Sequence, residues 1–475
     1  MNHTKEQALR PAHDPIQSLS VPLPADVRRL ISAGCLQEAR ERIQFYLERL
    51  NRADSPLSGE QRQKKSRLTL ELARLSQLPF EYPYSFSEAL SLIRSRIPDF
   101  SEEEFHALER EGRAEPVFLE GQKRYPGRFL DTLLAVDPVL AGRADPQLVR
   151  DMDDRGRFRD RTIRLLKEEG LLRYRIHLKA GLRVKDEFFE PEKEYLVHLP
   201  VPKECDPING VRILNTGHRP AFLSPSDAPA RTVAFRESPK KNDTFWVEYE
   251  YDSTVWYIQP DPDRVSDRLP DFDTGQQPPH IRFTPYLRAL TSEVVGKERN
   301  PLKKARRIYD FITSQVAYSY MPEYFLLDDI AETCAVSRKG DCGVQALLFI
   351  TMCRIARIPA RWQSGLSVTP ASVGPHDWAQ FFIPPYGWLY ADLSFGGSAF
   401  RAGQMERRDF YFGNLDPFRM VANTAFQAPL VPPKSGLRAD PYDNQVGECE
   451  IDGKGLLTGQ FDFFHEIIDI RSIRQ

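Results

Sequence analysis

Three residues of this chain, Cys342, His376 and Asp392, are of types and at spacings that suit nucleophilic acyl transfer. The run Arg338-Lys339-Gly340-Asp341-Cys342-Gly343 leads into an apolar stretch reaching Ala356, with Pro359 just beyond. Gly340 and Asp341 are stop-and-cap residues, so the sequence predicts a buried helix that opens at Cys342 and ends before Pro359. At a helix N-terminus the partial positive charge and the free backbone N–H groups favour a thiolate. The same N–H groups could receive an oxyanion. A free cysteine is more often a small buried hydrophobe, and Cys334 and Cys353 take that reading, the latter because it falls deep in the helix. For Cys342, position alone leaves the two readings balanced.

The base and its orienting partner come next. His376-Asp377-Trp378-Ala379-Gln380-Phe381-Phe382-Ile383 has strand character, Pro384-Pro385-Tyr386-Gly387 turns the chain, and Trp388 to Leu393 returns as a second strand. If Ile383 to Gly387 form a five-residue loop, Phe382 pairs with Trp388 and Asp392 stands opposite Trp378. Alternation of side chains then places His376 and Asp392 on one face, diagonally two residues apart. A four-residue loop would put them on opposite faces. An imidazole acting as base needs such a carboxylate to set its tautomer and steady the imidazolium. Alone, His376 would read as a structural histidine; with Asp392 at this spacing and Cys342 on the preceding helix, the order reverses.

These segments, taken together, resemble the core of the transglutaminase-like superfamily. The pattern is Gly340-Asp341-Cys342 at a helix start, Arg354 to Arg361 with Ile358-Pro359-Ala360 at the helix end, His376-Asp377-Trp378, and Gly387-Trp388 followed by Asp392. The resemblance covers residues 281–427, about a third of the chain, and points to a multidomain member of bacterial type. It implies a papain-like α+β fold with Cys342, His376 and Asp392 as nucleophile, base and orienting residue, and no cofactor or metal. It also implies chemistry on amide bonds of proteins or peptides, through a thioester that water or an amine resolves. Arg357 departs from the pattern, standing where a glycine is usual, which should alter only the helix end. Members often carry an aromatic residue upstream of the cysteine to support the oxyanion; Tyr318 or Tyr320 would fit, and spacing does not choose between them. Trp362, Trp378 and Trp388 read as packing. The alternative to an enzyme is a non-catalytic scaffold of the same fold that binds a protein partner.

The rest of the chain must position this core. Residues 1–172 read mainly as helix. Leu36, Ala39, Ile43, Tyr46, Leu47 and Leu50 keep the spacing of one apolar helix face, and Ser101 with Glu104 signals a capping box. Val117-Phe118-Leu119 can meet Arg124-Tyr125 in a hairpin across Glu120-Gly121. Residues 173–258 break into short alternating runs, as in an Ig-like β-sandwich. Residues 259–280 have the Pro- and Asp-rich composition of a linker. The extension 428–475 alternates again, as if adding strands to a neighbouring domain. The expected class is therefore α+β: helical N-terminal domain, β-sandwich, then the papain-like core.

Composition excludes other classes. The chain has 475 residues, with 65 basic against 67 acidic side chains and a formal net charge of −2. A nucleic-acid binder needs a basic face, which this balance does not suggest. The mixed-sign run from Arg150 to Glu169 reads as a solvated helix face. The first twenty residues lack an apolar secretory stretch, and the longest apolar run, Gly343 to Cys353, is far shorter than the roughly 20 residues of a membrane span. Six scattered cysteines without a CxxC spacing suit neither a disulfide framework nor a zinc site, but do suit a reducing compartment. The expectations are a cytoplasmic location, a protein or peptide substrate, and neither nucleic acid nor membrane as a partner.

Overall fold

Capping chemistry starts three of the N-terminal helices. Ser58, Ser85 and Ser101 each accept the N–H three residues on, and Gln61, Glu88 and Glu104 return the bond. The structure, a computed structural model, describes residues 15–52 and 55–473; the polar stretch 1–14 lies outside them. It divides into two compact units. One holds the described residues up to 154 together with 278–280 and 318–329; the other holds 155–277, 281–317 and 330 onward. Among the described residues no helix is long and apolar enough to cross a membrane.

In the first unit the helix Leu36–Asn51 buries Leu36, Ala39 and Ile43, while Tyr46, Leu47 and Leu50 pack at the margin of the same cluster. The hairpin pairs Val117 with Arg124 and turns through Glu120 and Gly121, both at positive φ. Glu120 N–H donates to Gly34 O at 2.8 Å. Only glycine fits at position 34: its φ is +74°, and a Cβ there would lie 2.1 Å from the Phe118 carbonyl oxygen.

The second unit contains, among the described residues, three antiparallel sheets of four or five strands. Two form a sandwich. In one, Phe461–Ser472, Leu171–Val184, Phe245–Trp256 and Ile208–Thr216 lie in that order. In the other, Glu448–Ile451 pairs with Tyr195–Pro200, which pairs with Thr232–Glu237. Strict alternation along Phe245–Trp256 buries Phe245, Val247, Tyr249 and Tyr251 between the sheets. The C-terminal extension thus supplies a strand to each sandwich sheet. The third sheet is ordered Phe412–Gly413, Gly387–Ala391, Ser372–Ile383, Ala360–Thr369, Arg419–Asn423. Its Leu366, Trp378, Tyr390 and Met420 belong to the same apolar cluster as the sandwich interior, so the two regions share one core. The Pro-rich stretch before it is held to this core: Asp261 N–H donates to Tyr386 Oη at 2.9 Å, and Arg354 donates to Gly275 O at 3.0 Å.

The helix Cys342–Ile355 packs on the third sheet, with Phe349 edge-on to Phe381. Asp341 caps it by accepting Val344 N–H at 3.1 Å. It is mostly apolar because every residue from Gly343 to Arg354 is buried. At its far end Ile358 N–H reaches back to Cys353 O at 2.9 Å, and Arg357 takes the left-handed position with φ +63°. That is the place where glycine is usual, and the exposed Arg357 side chain gives nothing visible in return. Replacing Arg357 by Gly should therefore raise the unfolding free energy by about 1 kcal/mol, and Arg357→Val should lower it. Urea unfolding of the two variants beside the wild type checks both signs.

Candidate functional site

The turn Pro384-Pro385-Tyr386 closes with Ile383 paired to Gly387, and Phe382 to Trp388. This is the register of the five-residue loop, and it sets Asp392, just past the last pair Ala379–Ala391, in line with Trp378. His376 and Asp392 accordingly meet: Nε2 of the ring lies 2.7 Å from Asp392 Oδ2. The second ring nitrogen, Nδ1, has no hydrogen-bond partner among the described residues. The ring stacks on Phe395, with centroids 4.4 Å apart.

Asp392 is fully buried and has four partners. Its Oδ2 also accepts from Arg419 Nη2 at 3.0 Å, while Oδ1 caps the helix Leu393–Arg401 through Phe395 N–H (3.0 Å) and accepts from Ser394 Oγ at 3.4 Å. Burial by itself would raise its pKa, but His376 and Arg419 outweigh it and hold the carboxyl at about 2. With Asp392 ionised, Nε2 must carry the proton and Nδ1 the lone pair. Burial pulls the imidazole pKa below its usual value; Asp392 pushes it up, and the Arg419 and Arg159 charges reinforce the fall. Arg419 also binds Asp416 Oδ2 at 2.8 Å, which takes Tyr411 Oη–H at 2.9 Å.

Cys342 opens its helix and is half-buried, but its sulfur is not bonded to His376. Sγ–H donates instead to Asp377 Oδ2 at 3.2 Å. Strand alternation explains this. Asp377 shares its side of the strand with Phe381, which faces the cysteine helix, whereas His376 shares the other side with the fully buried Trp378. Burial pushes the thiol well above its usual range, and the carboxylates of Asp377 and Asp341 push it further. The helix terminus does not prevail here, and the resting thiol is protonated. Asp377 is itself raised to about 7, by burial first and then by Asp341, against the opposing bonds from Cys342 and Asp443.

Further residues around these groups carry no signal in sequence order. Gln445 Nε2 donates to Asp377 Oδ1 at 2.6 Å and to His376 O at 3.1 Å. Asp443 hydrogen-bonds Asp377, and Asp440 lies beside both. Asp377 was in plain view as the middle residue of His-Asp-Trp; the parity argument that joins His376 to Asp392 also sends Asp377 to the opposite side. Trp378 donates Nε1–H to Gln363 at 2.6 Å, Trp362 is buried against Phe426, and Arg361 covers Trp388, so all three tryptophans pack. Cys334 and Cys353 are fully buried. Tyr318 and Tyr320 fall in the helical unit, where Arg128 lies 3.5 Å over the Tyr320 ring. Among the described residues no group of three or more His, Cys, Asp or Glu is arranged to hold a metal ion.

Residues 288–393 match the family model described as the Transglutaminase-like superfamily. No curated protein matches the chain. Among solved structures it is similar to a candidate cysteine protease of Cytophaga hutchinsonii at 17% identity and TM-score 0.41, covering 63% of this chain and 91% of that one. It is also similar to the periplasmic domain of TgpA from Pseudomonas aeruginosa, at 18% identity and TM-score 0.23, covering 52% and 95%.

Two stability measurements follow from this electrostatic arrangement. A carboxyl with a higher pKa folded than unfolded binds more protons in the native state between the two values. Asp377 therefore costs stability as pH rises from about 4 to about 7. Asp377→Asn should melt above the wild type at pH 8, with the gap closing by pH 4. Asp392→Asn, which takes from Arg419 one of its two carboxylate partners, should destabilise by about 1–3 kcal/mol at neutral pH. Thermal scans across that pH range read both.

Proposed function

Residues 288–393 belong to the Transglutaminase-like superfamily, and from that premise we propose that the chain is a cysteine-dependent acyl-transfer enzyme acting on amide bonds of proteins or peptides. The observation that carries this reading is the 2.7 Å pair of His376 Nε2 with Asp392 Oδ2, on the sheet against which the Cys342 helix packs. It leaves Nδ1 as the ring nitrogen that carries the lone pair; at rest the thiol meets Asp377 on the opposite side of that strand, so proton transfer requires the sulfur and the ring to be brought together.

In the proposed reaction His376 Nδ1 takes the proton of Cys342, and the sulfur bonds to the amide carbon while the carbonyl oxygen takes up negative charge. The backbone N–H groups of the helix start are the nearest fixed dipoles of the right sign. The C–N bond then breaks, the imidazolium gives its proton to the leaving nitrogen, and a thioester remains. Water or a primary amine, deprotonated by His376, attacks the thioester and releases Cys342. Asp392 keeps Nε2 protonated throughout and steadies the imidazolium. Hydrolysis and transamidation differ only in which nucleophile reaches the thioester, and hydrolysis is the form proposed. The proposed location is the cytoplasm, which suits cysteines kept as free thiols.

The contact of Sγ with Asp377 favours a second reading, a scaffold of this fold that binds a protein partner without turnover. A peptide library assayed with and without a primary amine donor separates the two. The enzyme reading expects turnover that disappears in Cys342→Ala and His376→Ala and persists in Cys334→Ala and Cys353→Ala. Wild-type turnover in Cys342→Ala would remove the nucleophile, and no turnover on any member would leave the scaffold.

A further inference from the structure

We propose that segment 424–447 is an autoinhibitory strap, which holds Asp377 against the Cys342 thiol and must release Asp377 before the sulfur can react. This rests on the reading of Cys342 as the nucleophile. The segment joins the strand Arg419–Asn423 to the strand Glu448–Ile451 and contains no helix or strand of its own. Segments of that length without regular structure inside a folded unit are commonly lids or binding loops.

The strap is nonetheless buried over much of its course and pinned. Phe426 stacks on Tyr442 at 5.0 Å, Gln427 N–H donates to Tyr442 O at 2.7 Å, and Asn423 Nδ2 donates to Asn444 O at 3.0 Å. Its contacts then converge on one target. Gln445 spans the backbone carbonyl of His376 and Oδ1 of Asp377, and Asp443 shares a hydrogen bond with the same carboxyl. With Oδ1 taken by the strap, Oδ2 is left facing the sulfur and accepts its proton.

That geometry blocks the reaction twice. The thiol proton is committed to Asp377, although the base that must receive it is His376. An acidic neighbour at 3.2 Å also opposes the negative charge that attack requires. The groups around the sulfur and Asp377 are all acidic: Asp341 from the cysteine helix, and Asp440 and Asp443 from the strap. His465, on the final strand, bonds the backbone of Gln445 from behind. Freeing Gln445 and Asp443 lets Asp377 turn from the sulfur and removes the acceptor that holds the thiol proton.

The test is the alkylation rate of Cys342 by iodoacetamide in the full chain at pH 7, read at that residue by peptide mass spectrometry so that the other cysteines do not enter. Asp377→Asn should raise the rate about tenfold, as a one-unit fall in thiol pKa would, and move the pH midpoint of alkylation down. Gln445→Ala should also raise it. Gln445→Asn, too short to span both acceptors, is the milder variant should the others fold poorly, and it should be faster than wild type. Hydrogen exchange should quicken across residues 439–447 while the sandwich strands keep their protection. Unchanged or slower alkylation in folded variants overturns the strap. Amide turnover on the same proteins keeps the two proposals apart. Faster alkylation without turnover in any form sinks acyl transfer and leaves the strap. Turnover as fast in wild type as in the variants sinks the strap and leaves acyl transfer.

Discussion

A carboxylate with no exposure to water is the constraint around which the site is arranged. Burying Asp392 costs several kcal/mol unless its charge is met by close partners. Here it is met from four directions: the imidazole of His376, the guanidinium of Arg419, the hydroxyl of Ser394 and the Phe395 N–H in the first turn of the helix that follows. Each partner fixes another part of the chain. Arg419 sits on the outer strand of the sheet and, through Asp416 and Tyr411, ties that strand to the short helix before Phe412–Gly413. Asp392 N–H in turn donates to Tyr411 O at 3.1 Å. The orientation of His376 is therefore tied to one buried charge, and the same charge links the outer strand to the chain at Tyr411.

The same arrangement sets the resting state. Arg419 neutralises part of the negative charge that would otherwise stabilise an imidazolium, and burial disfavours the charged ring as well. The thiol is pushed up at the same time by burial and by carboxylates. Both partners are thus neutral at rest, unlike the ion pair of a site in which a lowered thiol pKa wins. Reactivity in such a site depends on what removes Asp377 from the sulfur, since the imidazole is already held in the right tautomer.

How much of this could be read in sequence depended on whether a short-range rule applied. Strand parity and loop length gave the His376–Asp392 pairing, because both are counted in residues along adjacent strands. Ser101–Glu104, the hairpin at Glu120-Gly121 and the helix opening at Cys342 followed from local capping and turn chemistry. The sulfur's partner did not, because it depends on which side of the sheet the helix packs against, and parity is silent on that. Arg419 reads as an isolated cation in an apolar strand; only its position beside Asp392 gives it meaning. Nor does composition show that the Pro-rich stretch 259–277 is bound to the core, or that sandwich and third sheet share one apolar cluster.

The C-terminal extension has a mechanical consequence that its alternating pattern did not convey. Its strands Glu448–Ile451 and Phe461–Ser472 are built into both sandwich sheets, while Arg419–Asn423 is built into the third sheet. Segment 424–447 is therefore anchored at each end in a sheet that cannot release it without losing ladder hydrogen bonds. Its ends are fixed by backbone pairing; between them Ser435 and Gly436 N–H donate to Glu450, Ala439 and Asp440 N–H donate to Glu448, and Gln445 reaches Asp377. Opening at Cys342 needs only the contacts of Gln445 and Asp443 with Asp377, which can be exchanged for contacts to an incoming chain without unravelling a sheet.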